Sequence, residues 1–395
     1  MTEVQDILVG EPRRAQERPL RVALFTGSYN YIADGVALTL NRLVGYLMDQ
    51  GVEVLVFAPV GPRAALVHRG ELTPVASIAV PLRTEYRLAL GLTARARSRL
   101  ETFAPDVVHI ATPDLLGRDA QAFARRLGRP VIASYHTRYE TYLKYYGLGL
   151  LERVFGRWLG RFYDRCTEIL APSPSMVDVL AASGVTRPVH LWPRGVDLDR
   201  FDPARRSLAW RRARGVADDE VLVAFVSRLV KEKRVDDFVD AVSAAQAAGA
   251  RVRPLVVGDG PEREALARRL PTGVFEGFLV GDALATAYAS ADIFLFPSDT
   301  ETFGSVTLEA MASGLPTVCA DATGSRSLVE PGVTGFLAEV GDVPGLTAAV
   351  TRLAEGVDLR REMGAAARRR ATTFSWDEAM AGVLARYLAL ADRAA

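Results

Sequence analysis

Short apolar runs alternate with longer amphipathic stretches along almost the whole chain. The runs Arg21–Thr26, Val52–Ala58, Val107–Ala111, Val131–His136 and Ile169–Pro172 are mostly aliphatic and lack regular apolar–polar alternation. Strands buried on both faces, as in a parallel sheet, read this way. After Pro193 the rhythm restarts, with Val221–Ser227, Pro254–Val257, Ile293–Phe296 and Thr317–Ala320. Between these runs, Val36–Gln50, Val235–Ala248 and Pro261–Leu270 place their apolar residues at helical spacing. Strand–helix alternation of this kind builds βαβ units and doubly wound sheets.

The strands are too many for one compact sheet, and the pattern breaks once, near 193–215. There Pro193, Gly195, Pro203 and the polar run from Arg205 to Arg214 interrupt it. The prediction is an α/β chain of two Rossmann-like doubly wound domains, 20–193 and 194–375, facing each other across a cleft. A flexible segment, 1–19, precedes them. An amphipathic stretch, Trp376–Ala391, begins a helix over 376–395 that returns to the first domain. A (β/α)₈ barrel has a similar rhythm, but the central break and the amphipathic ending disfavour it.

Composition narrows the class. The chain has 395 residues, 49% hydrophobic and 24% charged. That is ordinary globular usage, with enough apolar surface to offset the entropy of ordering. The net charge is +1, which speaks against a dedicated nucleic-acid binder. The total hides an asymmetry: residues 1–200 hold 25 basic and 20 acidic side chains, and 201–395 hold 23 and 27. Only three of the 48 basic residues are lysines: Lys144, Lys231 and Lys233. Cys166 and Cys319 are too few and too far apart for a disulfide framework. Ile7-Leu8-Val9 is too short for a signal-peptide core, and no stretch approaches the ~20 apolar residues of a spanning helix. The expected setting is cytoplasmic, at most peripheral on the inner face of the cell membrane.

Two segments carry chemistry. The string Pro297 to Pro316 follows an apolar run and opens a helix at about Gly304–Ser305. Free amides at a glycine-led helix N-terminus suit phosphate. Glu301 lies before that helix and Glu309 about one turn inside it, so two carboxylates flank the anion site and suit sugar and ribose hydroxyls. Each glutamate taken singly also reads as an ordinary surface acid. The second segment, Phe225 to Arg234, ends a strand, where ligands of open α/β sheets bind. It holds Arg228 and two of the three lysines, compact point charges suited to phosphate oxygens. A solvated basic loop is the bland alternative.

With these strings in view, the chain resembles the retaining glycosyltransferases of the GT-B fold, family 4. The carriers are Ser298-Asp-Thr-Glu-Thr-Phe-Gly with Glu309-Ala-Met-Ala-Ser-Gly-Leu-Pro, then Ser227-Arg228 with Lys233, Gly258-Asp-Gly260, Gly277-Phe278 and Gly332-Val-Thr-Gly335. Asp34-Gly35-Val36 and Ser134-Tyr-His136-Thr137 resemble members near the phosphatidylinositol mannosyltransferases and sulfoquinovosyl-lipid synthases. The likeness spans about residues 20 to 380.

The resemblance implies a GDP- or UDP-linked donor, hexose transfer to a membrane-lipid or envelope-glycan acceptor, and no metal or other cofactor. It implies that Arg228 and Lys233 neutralise the departing diphosphate, and that Phe303, Gly304 and Ser305 offer backbone amides. Glu309 would take the ribose and Glu301 the transferred sugar. His136 would meet the sugar from the opposite domain, Gly35 and Val36 would approach the diphosphate, and Gly258, Gly260 and Phe278 would lie near the base. Two departures stand out: Thr323-Gly324-Ser325 where relatives carry consecutive glycines, and Ala33 in the first-domain loop. A nucleotide-sugar epimerase of the same fold, or a degenerate non-catalytic relative acting as a regulatory partner, are the competing readings. Both predict erosion of the charged set, which is intact. His109 and His190 read as structural, and His68 as surface.

Residues 138–165 interleave Tyr139, Tyr142, Tyr145, Tyr146, Phe155, Trp158, Phe162 and Tyr163 with Arg153, Arg157, Arg161 and Arg165. Fourfold spacing puts the arginines on one helical face. This suits an anionic membrane surface, or equally a solvated face whose rings lie in the core.

Overall fold

A computed structural model describes residues 18–80, 83–138 and 152–394. The first sheet contains β1 (Arg21–Phe25), β2 (Glu53–Ala58), β3 (Glu71–Pro74), β6 (Val107–Ile110), β7 (Val131–Ser134), β8 (Glu168–Ala171) and β9 (Val189–Leu191). Its spatial order is β3-β2-β1-β6-β7-β8-β9, and every pair in it is parallel. β4 (Ser77–Val80) and β5 (Arg83–Ala89) form a separate antiparallel pair. The second sheet contains β10 (Val221–Val226), β11 (Val252–Val257), β12 (Val274–Gly277), β13 (Ile293–Phe296), β14 (Thr317–Ala320) and β15 (Gly335–Ala338). It is also wholly parallel, in the order β12-β11-β10-β13-β14-β15.

Both sheets are therefore open, which rules out the barrel. The two Rossmann-like halves anticipated from the sequence are present. In each, strand order reverses beside the first strand, between β1 and β6 and between β10 and β13. Ligands of open α/β sheets bind at that switch point, beyond the strands' carboxyl ends. The strands that the pattern missed are the four edge members β3, β9, β12 and β15 and the antiparallel pair. Half-exposed or short, they lack the continuous apolar run of their neighbours.

The last helix, Trp376–Ala394, returns to the first sheet. Met380, Val383, Tyr387 and Leu390 pack with Leu20, Val22, Leu43 and Trp192 in one buried cluster. The crossing segments touch: Val196 N donates to Phe374 O at 3.2 Å, and a Cβ on Gly195 would lie 2.3 Å from Trp376 N. A charged clasp adds to the packing. The Glu168 carboxylate, only 2% exposed, accepts two hydrogen bonds from Arg386 and lies 3.4 Å from His190 Nε2. His190 is thus structural, as its sequence context suggested. His68 is half-buried against Tyr29.

Cys166 and Cys319 are both buried and free. Among the described residues no helix is long and apolar enough to cross a membrane. The 1–19 flexible segment falls, up to residue 17, outside the described residues, as do the tyrosines of 139–146.

Removing one partner of a buried ion pair leaves an uncompensated charge. Arg386→Met is accordingly expected to destabilise the protein by about 3 kcal/mol in urea unfolding followed by circular dichroism. An unchanged midpoint would show that the clasp does not hold the returning helix.

Candidate functional site

The second half of the site begins where β10 ends. Gly258 and Gly260 let the loop after β11 lie directly on the loop after β10. A Cβ on Gly258 would stand 1.8 Å from Ser227 O, and one on Gly260 2.4 Å from Leu229 O. Their φ angles of +136° and +156° also favour glycine. Leu229 N then donates to Asp259 O at 2.9 Å, and Gly258 N to Gly277 O at 2.7 Å. These glycines shape the Arg228 loop by close backbone contact. Next to them Phe278 stands 76% exposed.

From that platform a single 3₁₀ turn, Lys231–Lys233, carries the lysine inward. Arg234, at φ +51°, reverses the chain into the helix Val235–Ala247. Lys233 is nearly buried, and its ammonium pairs with the Glu301 carboxylate. Ser298 Oγ donates to the same carboxylate at 3.4 Å. The fold thus brings together two residues that the sequence places 68 apart. Arg228 is more open and lies 4.0 Å from Glu232. It also acts across the cleft on Asp34.

Beyond Glu301, Gly304 at φ +93° caps the helix Ser305–Ala312, and no side chain fills that cap. Leu308 N is the first amide bonded back along the helix, to Gly304 O. The Phe303 ring is buried against Phe374, with centroids 5.9 Å apart, so only its backbone can serve the site. Ser305 is exposed at the helix mouth. Glu309, half-buried, receives the Tyr288 hydroxyl at 3.2 Å. Burial pushes its carboxyl up to about 7, partly offset by the Tyr288 hydrogen bond and the charge of Arg200.

The departure at Thr323-Gly324-Ser325 proves to be a clamp. Gly324 N and Thr323 Oγ1 both donate to Glu301 O, at 2.9 and 2.6 Å. A Cβ on Gly324 would come within 2.7 Å of Glu301 Cβ. One glycine is thus kept where contact demands it, and the preceding threonine supplies a bond that glycine could not.

The first half of the site comes from the ends of β1, β7 and β8. Asp34 caps the helix Gly35–Asp49 by accepting from Ala37 N at 2.8 Å. Burial raises its carboxyl, and Arg228 opposes that shift. A Cβ on Gly35 would meet nothing within 4 Å, so neither packing nor backbone requires glycine there, and the space before it is open. Val36 beside it is half-buried, and Ala33 is exposed. His136 follows β7 and is buried, with both ring nitrogens engaged: Nδ1 by Arg194 at 2.9 Å and Nε2 by Ser134 at 2.8 Å. His109 is fully buried between Ser134 and Tyr387.

Hydrogen bonds join the halves. Thr302 Oγ1 donates to His136 O at 2.9 Å, Ser173 Oγ to Thr302 O at 2.8 Å, and Ser175 meets Ser327 at 2.9 Å. The Glu301 loop is therefore held against the first sheet. Arg194, Asp34, Thr302 and Thr323 were not among the predicted site residues. Asp34 lies within the Asp34-Gly35-Val36 motif, whereas Arg194 sits where the strand–helix pattern breaks.

On the helix Glu152–Tyr163, Phe162 and Tyr163 are buried and Trp158 packs against the core. Those rings are core residues, not a membrane-facing set. Arg157, Arg161 and Arg165 are exposed. The side chain of Arg153 lies outside the described residues. Among the described residues no group of His, Cys, Asp or Glu could hold a metal ion.

Comparison with known proteins matches this geometry to a family. Residues 33–200 match the model of Glycosyltransferase Family 4, and residues 220–356 that of Glycosyl transferases group 1. A GDP-mannose-dependent alpha-mannosyltransferase of Mycolicibacterium smegmatis is 39% identical over 95% of this chain and 98% of its own length. A sulfoquinovosyl transferase of Arabidopsis thaliana is 33% identical over 91% of this chain and 71% of its own. Among solved structures, the sucrose-phosphate synthase of Thermosynechococcus elongatus shares the fold. Its TM-score is 0.75 at 20% identity, covering 93% of this chain and 99% of that one. With two open sheets facing a cleft, the charged string intact and full-length relatives of this kind, the chain belongs to glycosyltransferase family 4 and is a glycosyltransferase of the GT-B fold.

Proposed function

We propose that the protein transfers a hexose, with retention of configuration and without a metal, from a GDP- or UDP-linked donor to a membrane-lipid or envelope-glycan acceptor. The observation that carries the reading is the convergence of Lys233, Glu301 and the uncapped Ser305 helix at one switch point, opposite the open space before Gly35. The full-length likeness to a GDP-mannose-dependent mannosyltransferase supports the donor class. The likeness to a sulfoquinovosyl transferase leaves the sugar wider than mannose.

In this scheme the diphosphate lies between the Gly35–Val36 loop and the amides of Gly304, Ser305 and the residues after them. Arg228 and Lys233 take up the negative charge that grows on the leaving phosphate. Preorganised cations and amides there lower the barrier, since they stabilise the charge where it develops. The Lys233–Glu301 pair gives each group a partner until substrate supplies a better one: phosphate for the ammonium, sugar hydroxyls for the carboxylate. Glu309 accepts the ribose hydroxyls, Phe278 and the Gly258–Gly260 turn flank the base, and His136 faces the sugar. The acceptor would approach along the first domain, with Arg153, Arg157 and Arg161 toward an anionic membrane.

Lys233→Ala is expected to lower kcat/KM about 100-fold, in an assay of donor consumption run with excess EDTA. Wild-type activity lost to the chelator would overturn the metal-free mechanism. Unchanged activity in both Lys233→Ala and Glu309→Ala would overturn the site.

A second expectation concerns pH. A carboxyl that titrates at about 7 is a full acceptor only above that value. Donor affinity should therefore weaken as pH falls from 8 to 6, and Glu309→Gln should bind more weakly and lose the pH step. Calorimetric titration with GDP- and UDP-sugars measures both; a wild-type affinity independent of pH would remove Glu309 from the ribose.

Third, the double replacement of Arg157 and Arg161 by Gln should reduce sedimentation with vesicles containing phosphatidylglycerol and spare binding of the donor. Equal sedimentation would assign those arginines to a solvated face.

A further inference from the structure

We propose that Arg194 is a positioning residue, which fixes the tautomer of His136 and keeps that imidazole uncharged beside the transferred sugar. The inference rests on the reading above, in which His136 faces the sugar.

Arg194 lies in the segment that crosses from the first sheet to the second. It is 6% exposed, and its guanidinium lies 5.6 Å from the Trp192 ring. Its Nη2 is 2.9 Å from His136 Nδ1. A guanidinium can only donate, so Nδ1 must be an acceptor and the imidazole proton must sit on Nε2. Nε2 in turn lies 2.8 Å from Ser134 Oγ and donates to it. The Ser134 proton then goes to His109 Nε2, at 2.9 Å, and His109 Nδ1–H to the Tyr387 hydroxyl. One cation sets the direction of the whole relay, from the cleft to the returning helix.

The surroundings enforce the same protonation. Trp192 sits edge-on to both imidazoles, 5.2 Å from His136 and 5.9 Å from His109. Burial first, then the charge of Arg194, then His109 hold the His136 pKa well below the usual imidazole range. His109 is itself held at about 3 by burial. Arg194, lowered to about 10 by burial, remains charged at neutral pH, and Asp34 is the anion that acts on it.

The uncharged ring has a use. A sugar leaving its phosphate passes through an oxocarbenium-like state that carries positive charge. An imidazolium facing it would oppose that charge, whereas a neutral ring does not. Arg194 is buried and its Nη2 is taken up by His136 Nδ1, so the guanidinium acts through that ring.

The chain has four histidines, few enough for ¹⁵N-histidine labelling, with His136→Gln assigning the resonance. Wild-type His136 is expected in the Nε2–H form with no titration from pH 8 to 5. In Arg194→Met, where burial still acts, its pKa should rise yet stay below the ordinary imidazole value of about 6.5. The variant's kcat at saturating donor should then fall more steeply than that of wild type as the pH drops toward 5. Arg194→Gln keeps a donor for Nδ1 and should keep the tautomer; it serves if the Met variant does not fold. A wild-type Nδ1–H form, titration between pH 5 and 8, or a folded Met variant with unchanged tautomer and pH profile would overturn the proposal. Full kcat in His136→Gln would instead overturn the placement of His136 against the sugar and leave the tautomer assignment standing.

Discussion

The cleft depends on backbone packed against backbone at the carboxyl ends of the second sheet. Parallel strands stand at a fixed spacing, so their loops can converge on one ligand only where side chains are absent. Gly258 and Gly260 bring the β11 loop onto the β10 loop, and Gly324 brings its segment onto Glu301. A methyl group at any of the three would overlap a neighbour at less than 3 Å. Lys233 and Glu301 meet because both of their loops are braced by such contacts. The charges supply the chemistry, but the glycines determine where the charges stand.

Three buried charges are then handled by pairing with an opposite charge. Lys233 faces Glu301, Arg386 faces Glu168, and Arg211, fully buried, reaches Asp292 at 2.8 Å. An unpaired ion in these places would cost several kcal/mol. The pairs differ in accessibility. Arg386–Glu168 and Arg211–Asp292 are fixed inside each half and hold the returning helix and the crossing segment. Lys233–Glu301 opens on the cleft, where an incoming anion and hydroxyls can replace each partner. The same interaction is a staple in two places and a latch in the third.

The sequence made the central strands legible because a strand buried on both faces must be continuously apolar. β10, with all six residues buried, is the clearest case. It could not reveal β9 or β15, whose exposed edges relax that demand. The Glu301–Glu309 string was legible because helix start, glycine and carboxylates are contiguous. The pairing of Lys233 with Glu301 was not, since it depends on how two loops are braced. Phe303 read as a site residue, yet its ring is core, and the rings of 155–163 turned inward while their arginines faced out. Periodicity locates a face but does not say which neighbour covers it.

Arg194 shows the limit most sharply. In the chain it sits between Pro193 and Gly195, where every local signal says linker. Its meaning comes from His136, 58 residues earlier, and from Tyr387 at the far end of the relay that His136 begins. The returning helix therefore does more than cover an apolar face. By supplying Tyr387 it gives the buried His109 a partner, and His109 in turn gives Ser134 an acceptor, which frees Ser134 to receive the proton of His136. A chain cut before Trp376 would expose Leu20 and Leu43 and would also leave this relay without its last member. Fold and protonation are thus coupled where both halves and the terminal helix meet.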